Sequence, residues 1–229
     1  MLPYHPETVA EALATVLDAA AAATGRATLA IPGGRSPGPV LTALARLVDG
    51  FLRPRLHLLW LDERAVPLDH ADRNHAPTLA AWRAGGELPG QVHVMPAERA
   101  DLQAAADEYA RTLQAATAGA GLDACLIGMG EDGHIASLFP RHPGLSDLSD
   151  VLVISDSPKP PPRRLTLSLP VLHRAGSHLI LALGAAKGAV ARRARQGADP
   201  ALPVSLLPAQ RCVWYADDAA MAAASGKCP

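Results

Sequence analysis

The chain has 229 residues, 49% of them hydrophobic and 19% charged, with a formal net charge of −1. That is enough apolar material for one sizeable globular core, and so small a net charge supplies no global field to draw nucleic acid or an anionic membrane surface. Three cysteines, Cys125, Cys212 and Cys228, stand far apart without C-x-x-C spacing, which argues for a reducing compartment rather than a disulfide framework.

Aromatic residues make up only 3%, so the core must be built from Leu, Val, Ile and Ala. Glu7, Glu11 and Asp18 precede the first cation, Arg26, the reverse of a secretory leader's basic start. The longest stretch free of Asp, Glu, Lys and Arg, 175–186, falls short of the about 20 apolar residues that a bilayer crossing needs. The expectation is a cytoplasmic protein with no membrane and no nucleic-acid partner.

In chain order, residues 7–23 carry Val9, Leu13, Val16 and Leu17 at helical spacing, and 28–31 form a short apolar strand. The turn PGGRSP (32–37) leads into a helix through Val40, Leu41, Leu44 and Leu47. A second apolar strand, 56–61, ends at Asp62-Glu63-Arg64. Residues 76–84 read as a helix, 92–95 as a short strand and 101–118 as a strong amphipathic helix. The apolar run 122–127 is a buried strand that opens onto the loop 128–134. Beyond it, 151–155 is a strand, 157–162 a stiff proline connector, and 164–169 a further strand. The chain closes with strand 179–183, helix 185–195, strand 212–215 and helix 217–224. The cations Arg192, Arg193 and Arg195 complement a helix end, their bland reading. Alternating strands and helices predict an α/β fold: a single domain over residues 1–229, with a mostly parallel, Rossmann-like sheet flanked by helices on both faces.

Candidate chemistry centres on GMGEDGH (128–134), three glycines in six positions with Asp132 and His134 two residues apart. Close-packed glycines let the backbone approach a ligand, and a carboxylate beside an imidazole is a natural acid–base pair. Gly128, Gly130 and Gly133 also spell the dinucleotide fingerprint. Pro140 and Pro143 leave little room for its crossover helix, and the motif falls past the middle of the chain, so nicotinamide binding is disfavoured. Cys125, within an apolar strand, reads as core rather than nucleophile.

Gly33, Gly34, Arg35 and Ser36, between a strand and a helix, can present backbone N–H groups to an anion, with Ser36 as a candidate cap. Their bland reading is a glycine-rich turn, and no Gly-Lys-Ser/Thr follows, so ATP chemistry is not implied. Asp62-Glu63-Arg64 reads most often as a solvated charge cluster; functionally, Arg64 would face the site. Arg164 and Lys187 are further cations able to hold a phosphate, though each singly is more often surface charge. Turns 33–37, 62–64 and 128–134 each follow a strand, so they are expected to share one rim at the carboxyl ends of the sheet. Nine histidines include no H-E-x-x-H, which speaks against a metal.

In this order, PGGRSP (32–37), WLDERAVP (60–67), Asn74, GMGEDGHIASLFP (128–140), PPRRLTLSLP (161–170) and GAAKG (184–188) resemble the 6-phosphogluconolactonase family, within the broader glucosamine-6-phosphate isomerase/deaminase-like fold. The resemblance implies hydrolysis of 6-phospho-D-glucono-1,5-lactone to 6-phosphogluconate in the oxidative pentose phosphate pathway, without metal or organic cofactor. It puts phosphate recognition on Gly33, Gly34, Arg35 and Ser36, helped by Arg164 and Lys187. It makes His134 the general base, with Asp132 beside it and Arg64 near the lactone. The partner it implies is a small sugar phosphate, for a monomer or small homo-oligomer. Two departures stand out: Arg73 where Ser is common, expected to alter substrate contacts, and Ile135 where Thr is common, expected to be tolerated. The deaminases of the same fold carry a catalytic Glu soon after the histidine; the run 135–140 here holds no acid. A non-catalytic sugar-phosphate-binding module is the remaining alternative.

Overall fold

The structure, a computed structural model, describes residues 1–225; Cys228 lies outside them. The elements in order are β1 (Leu2–Pro3), α1 (Pro6–Thr24), β2 (Ala27–Ile31), α2 (Gly38–Leu47), β3 (Leu56–Trp60), β4 (Asp62–Arg64), α3 (His75–Arg83), β5 (Gln91–His93) and α4 (Leu102–Thr117). They continue with β6 (Ala124–Gly128), β7 (Val151–Ile154), β8 (Arg164–Leu167), α5 (Leu169–Arg174), β9 (Ser177–Ala182), α6 (Ala185–Ala194), β10 (Cys212–Ala216) and α7 (Asp218–Ala224). Seven strands form one sheet in the order β1-β10-β9-β6-β2-β3-β5, every pairing parallel. Helices flank it, and β2 is buried at all five positions. Such continuous apolar runs are what a parallel sheet covered on both sides requires.

Helix starts follow their capping chemistry. Asp101 accepts from the Ala104 amide at 3.0 Å at the head of α4, and Asp217 accepts from Ala220 at 2.9 Å at the head of α7. The same Asp217 carboxylate holds the Gly184 amide at 2.9 Å, fixing the turn from which α6 departs. The core is aliphatic as its composition requires, with Trp60, Trp82, Tyr109 and Phe139 as its large fully buried aromatics. Among the described residues no helix is long and apolar enough to cross a membrane.

Three segments depart from the mostly parallel expectation. β4, β8 and β7 form a separate antiparallel sheet in that order. The chain enters it at Leu61, whose amide still bonds to Ile31 of the parallel sheet at 2.9 Å while its carbonyl accepts from Leu167 at 2.8 Å. β8 shows no alternation, all four residues being buried. Its predicted extension to 169 is cut short because Ser168 accepts from the Val171 amide and Pro170 lies in the first turn, which together start α5. No α-helix lies between β6 and β7, as the two prolines required.

Candidate active site

β2, β3 and β6 are neighbours in the parallel sheet. The turns that leave β2 and β6, together with β4, line one cavity of about 580 Å³, within the usual size of a small-molecule site. Of the nine residues singled out from the sequence, eight line it; Asp132 does not, and instead backs His134. Five lining side chains are cations (Arg35, Arg64, Lys159, Arg164, Lys187) and two are acids (Asp62, Glu131). An anionic ligand is the electrostatic match for that excess. A second cavity of similar size, about 610 Å³ between Ala194 and Trp214, has one charged lining residue, Arg195.

The turn after β2 forms one end. Gly33 must lack a side chain, because a Cβ there would lie 1.8 Å from Asn74 Oδ1. Asn74 is itself pinned: its amide donates to Glu63 Oε1 at 2.8 Å and its Nδ2 to the Asp62 carbonyl at 2.9 Å. Among the described residues, none of the four amides of Gly33, Gly34, Arg35 and Ser36 donates to a protein acceptor. The expected Ser36 cap is not formed; Pro37 occupies the cap position of α2 without a side-chain bond. Four unspent N–H groups in one turn are an anion cradle. Lys187, from the first turn of α6, lines the same cavity, and burial lowers its pKa while Glu131 works against that shift.

The Asp62–Arg64 segment is not a solvated cluster. Asp62 and Glu63 are buried, and Glu63 accepts from the amides of Arg64, Asn74 and His75 at 2.7, 2.8 and 3.0 Å. Arg73 completes this hub from a fully buried position, with Nε 3.5 Å from Glu63 and Nη2 3.3 Å from Glu98. It also donates to the carbonyls of Arg64, Val66 and Met95. The expected effect of Arg73 on substrate contacts is therefore corrected: its donors are used inside the protein. Arg64 Nη1 donates to the Asp72 carbonyl at 3.0 Å, while its Nε, buried, has no protein partner.

The loop after β6 forms the other end. Gly130 donates to the His134 carbonyl at 2.9 Å and Gly133 to that of Gly130 at 3.1 Å, closing a tight turn. Gly130 must be glycine, since an added Cβ would lie 2.1 Å from His134 Nδ1 and 2.5 Å from Asp132 Oδ1. His134 Nδ1 stands 2.5 Å from Asp132 Oδ1. The ring lies 5.1 Å from that of Phe139, and Nε2 has no protein partner among the described residues. Burial lowers the pKa of His134, outweighing the opposing pull of Asp132, with Lys159 adding to the decrease. Burial raises that of Asp132, but the hydrogen bond and charge of His134, with Lys159, bring it below the ordinary value. Both directions favour a neutral imidazole hydrogen-bonded to a carboxylate near neutral pH. Ile135 is fully buried and bridges Met129 and Leu138, so an apolar side chain suits that place.

Two cations of the cavity differ in how their donors are used. Arg164, expected at the phosphate, lines the cavity but donates from Nε to the Pro161 carbonyl (3.1 Å) and from Nη2 to those of Lys159 (2.9 Å) and Pro160 (3.1 Å), leaving Nη1 3.4 Å from the Ser137 hydroxyl. Lys159, read from the sequence only as part of the proline connector, reaches His134 Nδ1 at 3.4 Å and Asp132 Oδ2 at 3.5 Å. Its signal was available: a lone cation inside a stiff proline run, where the backbone limits where it can point. Cys125 is fully buried and burial pushes its thiol up, so it belongs to the core.

A parallel α/β sheet with a cation-lined cavity at its strand ends, holding a carboxylate-backed imidazole, defines a protein that binds and acts on small anionic molecules. Residues 5–214 match the family model "Glucosamine-6-phosphate isomerases/6-phosphogluconolactonase", and the chain belongs to that family. The 6-phosphogluconolactonase of Mycobacterium tuberculosis is 36% identical over 217 residues, covering 90% of this chain and 88% of that protein. The human 6-phosphogluconolactonase is 34% identical over 201 residues, covering 82% of this chain and 78% of that protein. The crystal structure of 6-phosphogluconolactonase from Thermotoga maritima superposes with a TM-score of 0.83 at 25% identity, over 95% of this chain and 97% of that one. A monomeric glucosamine-6-phosphate deaminase shares the fold, with a TM-score of 0.79 at 18% identity over 97% and 98% of the two chains.

Proposed function

We propose that the chain is a 6-phosphogluconolactonase, hydrolysing 6-phospho-D-glucono-1,5-lactone to 6-phospho-D-gluconate in the oxidative pentose phosphate pathway. The observation that carries the reading is the pairing, in one cavity, of a carboxylate-backed imidazole with a turn of four unspent amides and with cations. The names and coverage of the relatives support the same activity.

In this reading the phosphate rests on Gly33, Gly34, Arg35 and Ser36, with Lys187 adding charge, and the lactone lies toward His134. Nε2 takes a proton from water as the water oxygen bonds to the lactone carbonyl carbon. General-base assistance of this kind is worth on the order of 10²–10⁴ in rate. The carbonyl oxygen gains negative charge, which the guanidinium of Arg64, a lining residue of the cavity, offsets. The carbonyl re-forms as the ring C–O bond breaks, and the imidazolium returns its proton to the leaving ring oxygen. Asp132 steadies the imidazolium between these two transfers.

Amino-sugar deamination is disfavoured by the segment after His134. Ile135, Ser137, Leu138 and Phe139 are buried, and Ala136, the residue that lines the cavity, offers only a methyl group. The test is direct: generate the phosphorylated lactone, add the protein with a chelator, and follow acid release, with glucosamine 6-phosphate as the control. Acid release without ammonia is expected; ammonia from the amino sugar without lactone hydrolysis would reverse the assignment.

A further inference from the structure

We propose that Lys159 is a positioning residue that shares the Asp132 carboxylate with His134 and so keeps Nε2 of the imidazole unprotonated and open to the cavity. The inference rests on His134 being the base. It starts from donor and acceptor bookkeeping. An ionised carboxylate only accepts, so the 2.5 Å approach of His134 Nδ1 to Asp132 Oδ1 places the proton on Nδ1. Lys159 Nζ, 3.4 Å from that nitrogen, then has nothing to donate to there. Its partner is the other carboxylate oxygen, Oδ2, at 3.5 Å. One carboxylate thus stands between an imidazole N–H and an ammonium.

A lysine on a flexible loop would not hold such a place, but this one is held from behind. The Ser157 hydroxyl donates to the Lys159 carbonyl at 2.8 Å and accepts from the Lys159 amide at 3.2 Å. Arg164 Nη2 donates to the same carbonyl and to that of Pro160 at 2.9 and 3.1 Å. Arg164 is 4% exposed and sits 3.9 Å from Asp62 Oδ2, so it is anchored itself. Prolines 160 to 162 stiffen the chain immediately after the lysine. Arg164 therefore also holds the backbone from which Lys159 reaches the pair.

The consequence is electrostatic. Lys159 offsets part of the Asp132 charge that pulls toward an imidazolium, which has no lone pair with which to accept a proton, and so adds to the effect of burial. The charges around the imidazole are Asp132 and Glu131 on its own loop, Asp62 and Arg64 on β4, Arg164 on β8, Lys187 on α6 and Lys159 on the connector. Of the cations among them, Lys159 is the one in direct contact with the pair.

The experiment is a pH titration of the His134 imidazole by NMR in the wild-type protein, Lys159→Met and Lys159→Arg, with the resonance assigned by its loss in His134→Asn. The lactonase pH profile is measured on the same three proteins. Lys159→Met is expected to move the His134 titration upward by about one pH unit, a fraction of the effect of a fully buried charge because Lys159 is half exposed. The acid limb of kcat follows it, KM at pH 8 changes little, and Lys159→Arg restores the wild-type titration. An unmoved titration with KM raised tenfold would overturn the inference and make Lys159 a plain phosphate ligand. A moved titration with an unmoved kcat limb would uphold the Lys159 effect while overturning His134 as the base.

Discussion

Along the Gly33–Ser36 turn and at Lys187, polar groups stand unspent: among the described residues the four amides and the lysine ammonium donate to no protein acceptor, and Arg35 is exposed. At the His134 end nearly every donor and acceptor is already matched within the protein. Asp132 holds the imidazole and the lysine, Arg164 holds the loop of that lysine, and Glu63 with Arg73 holds the strand beneath. The difference follows from what each end must do. A phosphate brings its own charge and satisfies whatever meets it, so donors there are best left free. A general base must carry its proton in one place before substrate arrives, so its surroundings are fixed in advance.

Variants that break this contrast are expected to differ in kind as well as in size. His134→Ala removes the imidazole that the carboxylate backs and should lower kcat by about 10²–10⁴ with KM little changed, read from steady-state kinetics. In the wild-type protein, kcat/KM should rise with pH through an acid limb centred below the ordinary imidazole value of 6.5, because burial lowers the pKa of His134 and the neutral ring is the active form. The profile should then stay flat through neutrality; a limb above 6.5 would mean that Asp132 dominates over burial. Arg73→Ala acts on the scaffold: it leaves Glu63 buried with its amides but without its cation, which should cost about 3–5 kcal/mol, measured by denaturant unfolding. At the open end, Lys187→Ala should raise KM roughly tenfold, the size of one charge-assisted phosphate contact, and spare kcat.

The same contrast marks what could be read from the chain. The parallel strands were legible because burial on both sides leaves continuous apolar runs, as in 27–31 and 124–127. The open end was legible too, since a glycine-rich turn between strand and helix is a local pattern. The antiparallel sheet was not. Asp62-Glu63-Arg64 looks solvated as a triplet, and only the distant Asn74, His75 and Arg73 explain how two of its acids come to be buried. The contacts of Arg164 and Lys159 were not legible for a related reason: a sequence lists cations but does not say where their donors end up. Three carbonyls five residues or fewer upstream claim Arg164, and that turn of chain in turn delivers Lys159 to Asp132.

The account is tested most directly by measuring kcat and KM separately for His134→Ala and Lys187→Ala on the same phosphorylated lactone. The division of labour predicts a loss confined to kcat in the first and to KM in the second. Losses in KM alone for both variants would contradict it, leaving His134 a binding residue and the cavity without its base.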